Sequence, residues 1–62
     1  MKINPVDVAV KIGRLGYTTV IDRTDDGVYL ITYASNRPPV RVEDDTIKVP
    51  KGSDEAVLFA LL

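Results

Sequence analysis

Cysteine, histidine and tryptophan are all absent from this 62-residue chain. Without cysteine there is no disulfide framework, no thiolate metal site and no thiol nucleophile to supplement a small core. Without histidine the commonest metal ligand and the commonest general base are both missing. Aromatic side chains are sparse, limited to Tyr17, Tyr29, Tyr33 and Phe59. No apolar run approaches the length of a membrane span, and the start, Met1-Lys2-Ile3-Asn4-Pro5, lacks the apolar stretch of a secretory signal. A cytoplasmic location with no membrane contact is the resulting expectation.

Charge of one sign is also lacking. Lys plus Arg number 8 against 9 for Asp plus Glu, a net charge of -1. That is not the basic footprint of a typical nucleic-acid binder. Nor are there acidic or basic blocks, since residues 1 to 31 hold Lys2, Lys11, Arg14 and Arg23 against Asp7, Asp22, Asp25 and Asp26. At this length roughly 60% of the unfolded surface can be buried, which leaves no room for a deep substrate cleft.

What is present reads as one small α+β domain over residues 1–62: an N-terminal helix, an antiparallel sheet of two β-hairpins with three to four strands, and a short C-terminal helix. In "NPVDVAVKIGRLGY", Asn4 suits a cap, Pro5 the first turn and Asp7 the N-terminal dipole. Val8, Ile12 and Leu15 fall on one face beside Ala9, and Gly16 is the expected stop. The β-branched and aromatic residues around Asp25-Asp26-Gly27 predict a hairpin, with a Gly that can take positive φ. Its second strand, Val28 to Tyr33, places Val28, Leu30 and Thr32 on one face and Tyr29, Ile31 and Tyr33 on the other.

The segment Ser35 to Pro39 breaks that pattern and reads as a loop that Pro38 and Pro39 stiffen. A two-residue turn at Asp44-Asp45 would then set Val42 against Ile47 and Val40 against Val49 on one side of a second hairpin. Arg41 and Lys48 would oppose each other on the other side, with Glu43 one step along. A single strand running through both aspartates is the weaker alternative, because neither suits a strand interior. "SDEAVLFALL" predicts the last helix, with Ser53 as cap and Asp54 and Glu55 in the first turn. So short a helix cannot persist alone in water and must dock.

The acidic groups are accounted for by turns. Asp25-Asp26-Gly27 lacks the alternating acids and distant Glu of a calcium loop, and nothing in the sequence supplies the desolvated cleft that catalysis by two facing carboxylates needs. Ser35, Ser53, Thr18, Thr19, Thr24 and Thr46 have no His to activate them. The chain is therefore expected to be no enzyme, with no cofactor and no metal site.

Contact surfaces are the remaining candidates. Ala56 to Leu62 carry no polar side chain; Val57, Leu58, Leu61 and Leu62 form a stripe, and Phe59 falls outside it. With one sheet face packed on helices, the side of Tyr29, Ile31 and Tyr33 is expected to need other cover, which a second copy would supply. These eight residues are the candidate interface of a homo-oligomer, with a dimer favoured. A second reading is a nucleic-acid-binding accessory protein. It would use Arg37, Arg41, Lys48 and Lys51 as an anion patch, with Lys51-Gly52-Ser53 leading into a helix N-terminus and the tyrosines as a stacking platform.

Overall fold

The computed structural model describes residues 2–62. Helix α1 spans Pro5–Gly13, and four strands follow, β1 Val20–Arg23, β2 Tyr29–Thr32, β3 Val40–Glu43 and β4 Thr46–Lys48, before helix α2, Glu55–Leu61. The strands form one antiparallel meander in the order β1-β2-β3-β4. The α+β architecture expected from the sequence is the one observed.

Local chemistry sets each boundary. Asn4 caps α1 by accepting the Val6 N–H at 2.9 Å, and Pro5 occupies the first turn, where its missing N–H costs nothing. The helix ends at Gly13 rather than running on to Gly16, which takes φ +102 in the turn beyond. Leu15 consequently leaves the helical face and stands exposed. In the first hairpin Gly27 adopts φ +84, as the turn requires. Thr24 closes that loop, its hydroxyl accepting from the Val28 N–H and offering its one proton to the Asp26 carboxylate, with the Val28 carbonyl the alternative acceptor. The second hairpin turns at Asp44-Asp45, pairing Arg41 with Lys48, Val42 with Ile47 and Glu43 with Thr46. The continuous-strand alternative is excluded by that register.

Register also decides which face of the sheet is covered. Ile21 pairs with Ile31 and Ile31 with Val40; Tyr29 pairs with Val42 and Val42 with Ile47. These residues share one side, and the helices pack there. Val8, Ala9 and Ile12 of α1, Ile31, Val40 and Val42 of the sheet, Tyr33 just past β2, and Val57 of α2 form a single buried cluster. The expectation that Tyr29, Ile31 and Tyr33 lie on the uncovered face is thus reversed. The bare face is that of Val20, Asp22, Leu30, Arg41 and Lys48, consecutive in register across the sheet apart from Val20.

Ile31 is completely buried at the centre of the core, so Ile31→Ala should lower the unfolding free energy in urea by about 2–5 kcal/mol. Leu15→Ala should change it by less than about 0.5 kcal/mol, because that side chain is already exposed.

Candidate functional site

Three residues that meet at the α2 N-terminus, Asp54, Tyr17 and Tyr33, explain how that short helix is held. Asp54, not Ser53, is its cap, and the Asp54 carboxylate accepts the Ala56 N–H at 3.0 Å. The same carboxylate accepts the Tyr17 hydroxyl, while the Asp54 N–H donates to the Tyr33 hydroxyl at 3.0 Å. Tyr17 and Tyr33 meet edge-on, with ring centroids 5.1 Å apart and planes at 68°. Loop, sheet end and helix are joined at one residue. The Ser53 hydroxyl oxygen is buried beside this junction without a partner.

This geometry disposes of two sequence expectations. The tyrosines cannot serve as a stacking platform, because Tyr33 is buried against Tyr17 and the half-buried Tyr29 ring lies beneath the Arg23 guanidinium, 5.8 Å from its centroid. The α2 N-terminus is not an open anion site either, since the Asp54 carboxylate already fills it.

The basic residues split into two pairs. Arg41 and Lys48 are cross-strand neighbours on the bare face, and Glu43 sits with both, its Oε2 3.6 Å from Arg41 Nε and 3.2 Å from Lys48 Nζ. The like-charge contact foreseen from the sequence is relieved by that one carboxylate. Arg37 donates to the Gly52 carbonyl at 3.1 Å, which ties it to the segment next to exposed Lys51. An open cleft of about 400 Å³ lies at the turn end of the sheet, lined by Lys2, Arg23, Asp26, Glu43 and Asp44 among others. Charges of both signs surround it.

The apolar candidates separate just as clearly. Ile31, Tyr33 and Val57 are buried in the core of a single chain and offer nothing to a partner. Tyr29 and Leu61 are half-buried against the same core. Leu58, Phe59 and Leu62 face outward, Phe59 at 69% and Leu62 at 88% exposed. Sequence reasoning missed a second group, Val6 and Val10 of α1 with Val20 and Ile21 of β1, all exposed. The signal was there: Val6 and Val10 fall one turn apart, off the stripe of Val8, Ala9 and Ile12.

Among the described residues no helix is long and apolar enough to cross a membrane, and no group of three or more acidic side chains is placed to hold a metal ion. Comparison with protein-family models, with curated proteins and with solved structures found no match for the chain.

The Tyr17–Asp54 hydrogen bond shifts both partners. It holds the Asp54 carboxyl below its ordinary 3.8, helped by the Ala56 N–H, and it raises the Tyr17 phenol above 10.0, helped by burial and the carboxylate charge. A depressed carboxyl stabilises the fold above 3.8 and loses that contribution as pH falls through its folded value; a raised phenol stabilises below 10.0 and loses it as pH rises through its folded value. The stability difference between the wild type and Tyr17→Phe should therefore be full between those limits and shrink outside both. Phenolate absorbance provides the direct check. In Asp54→Ser, which keeps a capping oxygen, one tyrosine should titrate closer to 10.0, and an unchanged curve would exclude the pairing.

Proposed function

We propose that the protein is a cytoplasmic, non-enzymatic interaction module that works by self-association, and that the outward stripe of α2 is a contact between copies. The observation that carries this reading is the division of labour within α2. Val57 is fully buried and holds the helix to the domain, whereas Leu58, Phe59 and Leu62 turn away from it. A large aromatic at 69% exposure beside two exposed leucines adds nothing to the monomer core. Tyr and Phe are enriched in the buried centres of protein contacts.

Several features favour a second copy as the occupant. Ala56 to Leu62 carry no charged side chain, so two α2 stripes meeting across a two-fold axis oppose no like-charged side chains along that stretch. The net charge of -1 gives two copies little mutual repulsion. A stable contact needs roughly 800 Å² from each partner, about a fifth of the 4339 Å² surface of one copy.

Phe59→Glu tests the reading without touching the core. Light scattering across a concentration series should give this variant half the solution mass of the wild type, with an unchanged unfolding midpoint at high dilution. An unaltered mass would remove α2 from the assembly. The effect should be steep in affinity, because an exposed carboxylate replacing a central aromatic anchor typically costs 2 kcal/mol or more, on the order of thirtyfold in Kd.

A further inference from the structure

The two edges of the sheet are not alike. Strand β4 is three residues long, carries exposed Lys48, and is followed at once by Val49 and Pro50. Shortness, lysine and proline are the devices by which sheet edges are kept from pairing. Strand β1 is one residue longer and has neither the lysine nor the proline, although Asp22 and Arg23 are charged. Its four residues are all exposed, Val20 and Ile21 at 53% and 38%.

The backbone of β1 is also free on one side. The Thr24 N–H donates to the Val28 carbonyl at 2.8 Å, and Val20 and Asp22 stand in the same phase opposite Thr32 and Leu30. Hydrogen-bonded and non-bonded positions alternate along an antiparallel pair, so the N–H and C=O groups of Thr19, Ile21 and Arg23 point away from β2.

Helix α1 stands beside this edge. It packs on β1 and β2 with Val8, Ala9 and Ile12 inward. It runs antiparallel to β1, since Ile3, next to its N-terminus, bonds Asp44 at the turn end of the sheet. Val6 and Val10 share one flank of the helix, off the buried stripe, and both are exposed. Gly13 lies on that flank too, and nothing approaches the position its Cβ would occupy.

We infer that the β1 edge is a self-pairing interface, at which β1 of a second copy adds antiparallel across a two-fold axis centred on Ile21 to give one eight-stranded sheet. Only certain registers keep side chains of the two copies on matching faces, and each has a definite consequence. Centring on Asp22 sets that carboxylate against its own copy. Centring on Val20 keeps four backbone hydrogen bonds, between Thr19 and Ile21 of opposite copies. Centring on Ile21 gives six: two between the Ile21 residues and two between each Thr19 and the opposing Arg23. It sets Val20 against Asp22 and Thr19 against Arg23, with no like charges opposed. A strand that meets its own copy in register, with six backbone hydrogen bonds and no like charges opposed, fits a second copy of this chain.

The contact is separate from the α2 stripe, and where the two two-fold axes cross at right angles the two contacts close on four copies. Amide hydrogen exchange of the full chain is the test. On raising concentration, Thr19, Ile21 and Arg23 should slow by at least about tenfold, while Val20 and Asp22, already bonded to β2, hardly change. Ile21→Lys should abolish that slowing and halve the solution mass. Phe59→Glu should keep the slowing, which separates failure here from failure of the α2 contact. Fast exchange at all three amides where the protein is associated would overturn the inference, whatever Ile21→Lys does to folding. Slowing produced only by an added extended peptide of unrelated sequence would overturn it too, by assigning the edge to a foreign strand.

Discussion

Asp54 is the residue on which the α2 half of the molecule depends. Its carboxylate caps the helix and accepts the Tyr17 hydroxyl, and its N–H reaches the Tyr33 hydroxyl, so the loop after α1, the end of β2 and the start of α2 converge there. A seven-residue helix has too few internal hydrogen bonds to offset the entropy of its own nucleation. Val57 supplies its one fully buried side chain. Polar anchoring at one end, Val57 and the half-buried Leu61 hold it down, which leaves Leu58 and Phe59 uncommitted to the core.

That economy is forced by size. A domain of 62 residues can cover one face of a four-stranded sheet with two short helices and has nothing left for the other. The bare face is managed with mixed chemistry. Leu30 and Thr32 are half-shielded by their cross-strand neighbours, and Glu43 draws Arg41 and Lys48 together. Exposed ion pairs of this kind add little stability, but they keep two adjacent cations from opposing the register that core packing requires.

The elements were legible in the sequence because each carried local punctuation: Asn4 and Pro5 before α1, Gly27 in the first turn, Asp44-Asp45 in the second. The covered face of the sheet was harder to read. Strand β2 has apolar residues on both sides, Leu30 on one and Ile31 on the other, so its own alternation does not say which is inside. Strand β3 does say. Its Val40 and Val42 alternate with Arg41 and Glu43, and pairing Val40 with Ile31 transfers that unambiguous side to β2. The information was present in the pattern of one strand but became usable only through the register to another. The Ser53 cap failed for a related reason: Asp54 was preferred by a tertiary partner, Tyr17, that lies 37 positions away and that no local rule sees.

The unequal edges of the sheet bear on how this chain avoids polymerising. A sheet with two open edges adds copies at both sides and grows into a fibril. Here β4 is short and carries Lys48, with Pro50 just beyond it, so among the described strands a pairing at β1 would leave only edges of that protected kind and lateral growth would end there. The three residues of β4 thus act as a chain terminator. Lengthening that strand or removing its lysine and proline would convert a finite particle into a template for continued addition.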